Sequence, residues 1–325
     1  MIDISVVIVN YKSWNALRAC LEAITTIDNR IFILETIVVD NHSSDGKINQ
    51  FKSDFPNVIF VENTGNNGFS NGCNFGANLA KGAFLFFLNP DTIANENAIY
   101  TLWNKTKKNP DYGIVTCTQL NEKEIAYKEI RFFPSLKTVF GLFRAFNFYI
   151  NKRKIEISFN KNQPVIFPEW ATGAVIFMSK NWFVKVNGWN ENYWLYYEDV
   201  DICKKVVNQG GKIALLRNIS ILHKHGGASR INIQTKALTK TEVLISRHVY
   251  FHEHTKGIER HIIQLILVLS LFLEKTILAC IGILFFFIPK LKVNIYIYKN
   301  LLGYYFSAFW NKSWISPRSI LFKKI

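Results

Sequence analysis

Apolar runs recur through the first ninety residues, and helix-length stretches separate them. Residues 4–9 (ISVVIV), 36–39 (TIVV), 57–61 (NVIFV) and 83–88 (AFLFFL) are almost wholly hydrophobic. Residues 13–27 and 71–81 between them have helical length. Continuous apolar strands, in place of strict alternation, predict a mostly parallel sheet covered on both faces by helices, an α/β fold. Ligands of such sheets sit at the carboxyl ends of the strands. That directs attention to Asn10-Tyr11, Asp40-Asn41, Glu62-Asn63 and Asn89-Pro90-Asp91.

A different texture follows. Residues 131–154 carry six basic side chains and no acid among many aromatics. Residues 169–180 (EWATGAVIFMSK) read as another buried strand. Residues 182–209 hold an acidic motif and then a helix with Val200, Cys203, Val206 and Val207 on its apolar side. Residues 213–222 form a further apolar segment that leads to His223. From His261 to Pro289 nearly every residue is apolar except the central Glu274-Lys275. About 20 apolar residues suffice to cross a bilayer, but charges at the midplane cost several kcal/mol. Two shorter helices, 261–273 and 276–288, are therefore expected, either at a membrane interface or as a hairpin. The alternative is a pair of core helices.

The chain has 325 residues and a formal net charge of +15, which calls for an anionic partner: nucleic acid, anionic lipid or a phosphorylated substrate. Its five cysteines are scattered, with no CxxC pair. Neither a zinc site nor a disulfide framework is indicated, and a reducing cytoplasmic setting fits. The opening MIDISVVIVNY reads as a first strand and not as a signal peptide.

Four motifs carry candidate chemistry. Asp40 opens VVDNHSSDG, where a carboxylate can accept the imide N–H of uracil or thymine; the same residues also favour a simple Asx turn. Residues 63–82 are rich in Gly and Asn, which permits close backbone approach to a phosphorylated or sugar ligand. No GKS or GKT follows, so this is not a Walker loop. In LFFLNPDT, Asp91 can hold a divalent cation against a diphosphate, or cap a helix. In YWLYYEDVD, residues 193–201, Glu198, Asp199 and Asp201 stand behind a run of aromatics. Crowded carboxylates in apolar surroundings gain basicity, which suits a general base acting on an alcohol; a helix N-terminus would also favour acids.

Together, these motifs at successive strand ends resemble family 2 glycosyltransferases of the GT-A fold, over roughly residues 3–230. LNPD resembles the variant metal motif of rhamnosyltransferase-like members. The ATGA at 171–174, GWNENYWLYYEDVD at 188–201 and LHKHGGAS at 222–229 resemble the acceptor-side and late histidine motifs. The resemblance implies a nucleotide-sugar half at 1–120, an acceptor half at 121–235, and a C-terminal helical, membrane-associating region at 236–325. It implies that Asp40 reads the base beside Asn10 and Tyr11, and that Asn67, Gly68 and Asn74 lie along the nucleoside and sugar. Asn89 and Asp91 would face the diphosphate, with Mg²⁺ or Mn²⁺ held by Asp91 and by His223 or His225. Asp199, with Glu198 as its rival, would be the catalytic base. Gly173, Ala174 and Trp189 would meet the acceptor.

Two departures stand out. Position 89 is Asn where the family often has a second acid, so the ion has a single carboxylate from that strand; Mg²⁺ tolerates few protein ligands. Lys204-Lys205 stands where Arg is common, and lysine offers no bidentate fork to a diphosphate. The implied activity is inverting transfer of a sugar, with the LNPD variant and the RFFPS segment leaning toward rhamnose, from a dTDP- or UDP-linked donor. The acceptor would be a glycan or lipid-linked glycan in cell-surface polysaccharide synthesis. Peripheral association with an anionic membrane on its cytoplasmic side follows from the basic, aromatic-rich C-terminal flanks. The competing readings are an inactive membrane-associated scaffold and a nucleic-acid-binding protein; no RNP, zinc-finger or helix-turn-helix signature supports the latter.

Overall fold

The computed structural model describes residues 2–28, 30–135, 146, 149–150, 163–224 and 232–322. The chain divides into two compact units. A sheet unit comprises Met1–Glu62, Cys73–Gly188 and Asp199–His225, and a helical unit comprises Asn63–Gly72, Trp189–Glu198 and Gly226–Ile325.

All four early apolar runs become strands: β1 (Ile4–Asn10), β2 (Leu34–Asp40), β3 (Ile59–Glu62) and β4 (Phe84–Leu88). Among the described residues the sheet also contains β5 (Thr92–Ile93), β6 (Tyr112–Leu120), β7 (Val165–Ile166), β8 (Val175–Ser179) and β9 (Lys212–His223). Their order is β3-β2-β1-β4-β8-β6-β9-β5, with β7 pairing on β9. The β3-β2-β1-β4 half is parallel, and β6 runs parallel to β9. β8 lies antiparallel between β4 and β6. This reversal brings the amino end of β8 to the rim where its neighbours end.

Every residue of β1 is buried, as a central strand covered on both faces requires. The helices accompanying the sheet are α1 (Trp14–Thr25), α2 (Lys47–Asp54), α3 (Phe69–Leu79), α4 (Glu96–Lys108), α5 (Lys180–Lys185) and α6 (Glu198–Asn208). In α1, Trp14, Leu17, Cys20, Leu21 and Ile24 recur at helical spacing and enter the core with Ile4, Val6 and Phe86. Fully burying each leucine contributes about 2 kcal/mol. α4 starts on an Asn95 side chain that accepts from the Ala98 N–H, with Glu96 in its first turn and three lysines in its last, an arrangement matched to the helix dipole.

The helical unit contains α7 (Ile233–His254), α8 (Gly257–Leu284) and α9 (Pro289–Asn311). Here the sequence expectation fails. The apolar stretch is one continuous helix running through Glu274-Lys275, and not two helices, 261–273 and 276–288. Glu and Lys are good helix formers, and Lys275 Nζ bonds Glu274 Oε1 at 2.6 Å. The break comes later, at residues 285–288, ahead of Pro289. The residue before a proline is pushed out of helical geometry, and proline itself suits the first turn of the next helix. At this corner the helices come close: a Cβ on Gly282 would lie 2.7 Å from the Leu291 carbonyl oxygen.

Two buried polar groups organise the unit. His248 stacks on Trp314 at 5.0 Å between centroids, and its Nδ1 lies 2.6 Å from Gln264 Oε1. Burial holds its pKa down at about 4. Glu242 is fully buried on α7, where Ser316 Oγ and Arg318 Nη1 each donate to it at 2.9 Å.

Candidate active site

The carboxyl-end rim of the sheet collects the polar residues singled out above. β1 and β2 end in register, with Asn10 opposite Asp40. Asn10 Nδ2 donates to Asp40 Oδ1 at 3.0 Å, the Ser43 N–H donates to Oδ2 at 2.9 Å, and Ser43 Oγ donates to Oδ1 at 2.5 Å. The turn DNHSSDG is wound by left-handed residues at His42, Ser44 and Gly46. It is pinned by Trp14 Nε1 donating to Asp45 Oδ2 at 2.8 Å. Asp40 is thus an Asx-type turn residue, as its neighbours suggested. A carboxylate has about four acceptor sites, so three internal bonds leave room for one more donor. Tyr11, the residue after Asn10, is 37% exposed.

A second cluster lies at the end of β4. Asn89 is fixed through its backbone: its N–H donates to the Ala174 carbonyl at 3.0 Å, and its own carbonyl accepts from Thr92 Oγ1 at 2.7 Å. Asp91 Oδ1 lies 3.2 Å from Nε2 of His223, the last residue of β9. His223 Nδ1 lies 3.0 Å from Gln119 Oε1 at the end of β6, and Gln119 Nε2 donates to Thr172 Oγ1 at 2.8 Å.

The third cluster adjoins Thr172. The Gly173 N–H donates to Asp199 Oδ2 at 3.0 Å, and the Val200 N–H donates to Oδ1 at 2.8 Å. The half-buried Asp199 has its pKa raised by desolvation, while these two N–H groups and the Arg131 guanidinium pull against that shift. Arg131 stacks over Trp170 with its guanidinium carbon 4.7 Å from the ring centroid. Its carbonyl accepts from the Glu169 N–H at 3.1 Å, which pairs segment 131–133 with segment 169–170. A polar chain therefore runs Asp91, His223, Gln119, Thr172, Gly173, Asp199 along one rim of the sheet unit.

Gly173, already on this rim, and Ala174 are buried in the strand entry to β8. Other sequence candidates fall elsewhere. Asn74 is half-buried on α3, where a Cβ on Gly188 would meet its Oδ1 at 2.8 Å. Asn67, Gly68, Trp189 and Glu198 belong to the helical unit. Gly68 has φ of +97°, and a Cβ there would meet the Trp194 carbonyl oxygen at 2.4 Å. Trp189 is only 2% exposed and packs edge-on against Phe69. Glu198 is buried as the first residue of α6, directly after Tyr196 and Tyr197, both of which have positive φ. Lys205 Nζ is occupied by the Gly188 carbonyl at 3.0 Å and Asp201 at 3.5 Å, and Lys204 lies over the Phe133 ring. His225, most of the 222–229 motif and much of the basic 131–154 segment lie outside the described residues.

Gln119 and Arg131 were not singled out from sequence, and Thr172 only as a member of ATGA at 171–174. Gln119 is the penultimate residue of β6, YGIVTCTQL, whose broken apolar run kept the strand-end rule that selected Asp40 and Asp91 from reaching it.

The residues at Asp91 fit a divalent cation. With Gln119 Oε1 accepting, Nδ1 of His223 carries the proton and Nε2 turns a lone pair toward the Asp91 carboxylate. A divalent cation between two such pairs, 3.2 Å apart, would satisfy both, and the Gln119 bond would orient the imidazole as a ligand. Among the described residues no group of three or more His, Cys, Asp or Glu forms a cation cage. Such an ion would complete its shell from ligand and water, the usual situation for Mg²⁺.

Comparison with known proteins converges on one chemistry. A family model described as glycosyl transferase family 2 matches residues 5–182. A second, described as the N-terminal domain of galactosyltransferase, matches residues 153–226. The chain is 25% identical over 225 residues to the low-salt glycan biosynthesis hexosyltransferase Agl10 of Haloferax volcanii, covering 68% of this chain and 67% of Agl10. It is 28% identical over 142 residues to the rhamnosyltransferase WbbL of Escherichia coli, covering 43% of this chain and 52% of WbbL. Among solved structures, GalNAc-T7 with UDP, GalNAc and Mn²⁺ superposes with a TM-score of 0.54 at 15% identity, over 75% of this chain and 48% of that one. That likeness establishes the fold, a GT-A-like sheet flanked by helices.

Proposed function

The chain belongs to glycosyl transferase family 2, and from that premise we propose that it moves a sugar, with inversion, from a nucleoside-diphosphate donor to a hydroxyl of a glycan acceptor. The observation that carries this reading is the polar rim joining Asp91 and His223 to Asp199 across the ends of β4, β9, β6 and β8. It holds a cation-compatible pair and a desolvated carboxylate on one edge of one sheet.

In this reading Asp40, with one acceptor site remaining, takes the imide N–H of a uracil or thymine ring, and the exposed Tyr11 ring flanks the base. Asp91 and His223 hold Mg²⁺ or Mn²⁺, which when bound offsets charge on the departing diphosphate. Asp199 removes the proton of the acceptor hydroxyl. The freed oxygen bonds to the anomeric carbon as the bond to the diphosphate oxygen breaks. Nucleoside diphosphate leaves with that electron pair, and the proton stays on Asp199. A carboxylate of raised pKa is better suited to hold that proton than an exposed one. Asn89 lies against the diphosphate, and Gly173 and Ala174 line the acceptor side. For Asn67, Gly68, Asn74 and Trp189 the support is the family motif.

Residues 1–120 then serve the donor, 121–235 the acceptor, and 236–325 a membrane. The names of WbbL and Agl10 favour a rhamnosyl or other hexosyl donor, and that of Agl10 a role in glycan assembly; an Asp40 that accepts the imide N–H of uracil or thymine suits a dTDP- or UDP-linked donor. The acceptor is a glycan or lipid-linked glycan met at the cytoplasmic face of the cell membrane. The test is a thermal-shift screen of dTDP and UDP with and without Mn²⁺, run on wild type and Asp199→Asn. A nucleotide that raises Tm in both proteins, with turnover reduced at least ~1,000-fold in the variant alone, supports the assignment. Substantial turnover by Asp199→Asn moves the base elsewhere, with Glu198 the next candidate. No metal-dependent shift with any nucleotide removes the donor reading.

A further inference from the structure

We propose that α8 lies in the plane of an anionic membrane, its exposed apolar stripe sunk into the headgroup–acyl boundary of one leaflet, without crossing the bilayer. This contact deepens the localisation given above and is independent of the transferase chemistry.

Ile258, Ile262, Leu265, Leu269, Phe272 and Leu273 are all exposed on α8. Their spacing of three and four residues makes one continuous stripe. The opposite side, with Ile263, Leu267 and Leu271, is buried within the helical unit. At ~100° per residue, Glu274 and Lys275 point roughly 110–150° away from the centre of that stripe. A crossing helix would carry this pair to the bilayer midplane, where each charge costs several kcal/mol. A helix lying flat keeps both charges on the side turned from lipid. Its 28 residues extend ~42 Å, against a hydrocarbon core of ~30 Å. The corner after it continues the apolar surface, with Phe286 and Phe287 61% and 67% exposed.

Charge selects lipid over a second copy of the chain. From Thr276 to the C-terminus there are seven Lys or Arg and no acid, and of the seven Arg318 is paired with Glu242. Two such surfaces repel each other, whereas an anionic leaflet attracts each basic group by ~1 kcal/mol. On α9 the exposed Lys299 shares a face with the exposed Leu302, Phe306 and Trp310, the mixture of cation, aliphatic and indole that settles at a membrane interface.

The chain carries its own reporter site. Cys280 is exposed on α8, close to the line of the stripe, and the other four cysteines are buried. The full-length protein, labelled at Cys280 with a polarity-sensitive thiol fluorophore, is mixed with phosphatidylcholine vesicles with and without phosphatidylglycerol. Expected results are a blue shift that requires phosphatidylglycerol, and quenching by a spin label near the head of the acyl chain that exceeds quenching by one near its methyl end. Leu265→Asp/Leu269→Asp, two changes at exposed positions, should weaken vesicle partitioning ~tenfold or more while the thermal midpoint stays within a few degrees. Stronger quenching from the methyl end overturns the in-plane geometry in favour of insertion across the bilayer. No shift with either vesicle overturns the membrane contact, as does a shift that appears without lipid and tracks self-association in sedimentation.

Discussion

At the scale of single residues, the informative pair is Asp199 and Arg131. Desolvation raises the Asp199 pKa, and the guanidinium of Arg131 is the charged group that opposes the shift, alongside the N–H groups of Gly173 and Val200. On α6 the charges of Asp199 and Asp201 both add to the upward push that burial gives the Cys203 thiol, and Asp201 has Lys205 as its ion-pair partner. Removing the cation disfavours the ionised carboxylate, so Arg131→Gln moves the Asp199 pKa further up. A base must be deprotonated to act, so the acidic limb of the kcat/KM profile shifts to higher pH, with Arg131→Lys restoring part of the difference. An acidic limb unmoved in Arg131→Gln, in an enzyme whose Asp199→Asn variant is dead, separates Arg131 from the base. Asp40, Asp91 and Asp199 were legible in the sequence because each stands at the end of an apolar run or behind an aromatic one. Arg131 was not, because its role depends on segment 131–133 pairing with segment 169–170 across thirty-odd residues of chain, and local pattern carries no trace of that pairing.

At the scale of elements, the strands were the most readable part, because a fully buried strand is a continuous hydrophobic word. β6 escaped notice: its run is interrupted by Thr116, Cys117 and Thr118, and Thr116 is buried only because its hydroxyl donates to the Val175 carbonyl at 2.7 Å. The 261–289 stretch was read correctly for hydrophobicity and wrongly for continuity, since a charge pair that satisfies itself does not end a helix. Loop geometry was legible only as glycine content. Gly68 shows what that content is for: φ of +97° and a Trp194 carbonyl oxygen 2.4 Å from a hypothetical Cβ leave no place for a side chain. Backbone lies on the far side of that contact, so no rotamer change relieves it. Gly68→Ala is expected to lower stability by ~2 kcal/mol or more, seen as a fall in Tm, whereas Gly46→Ala, with open space around its Cβ, bears only the cost of its positive φ. Equal losses at the two positions contradict the close approach at Trp194.

At the scale of the whole molecule, the chain's large positive charge coexists with a buried acid whose protonation is linked to folding. Glu242 is fully buried, and its pKa is raised by desolvation that Arg318 and Ser316 only partly offset. An acid with a folded pKa above its unfolded value binds its proton more tightly in the native state. Its contribution to stability is therefore complete below the unfolded pKa and is lost as pH rises through the folded one. Arg318→Ala removes the cation and leaves the carboxylate buried with the Ser316 hydroxyl. Near neutral pH this costs about 1–3 kcal/mol, less than for a fully buried pair because Arg318 is 40% exposed. Lowering the pH toward the ordinary carboxylate range protonates Glu242 and returns part of that loss, so the Tm gap between Arg318→Ala and wild type narrows as the solution is acidified. Glu242→Gln in the Arg318→Ala background removes the titrating group, and the gap then becomes independent of pH. A gap that stays constant with pH in the single variant, or widens on acidification, shows that the C-terminal segment is held by its Trp314 stack on His248 and not by the charge on Glu242.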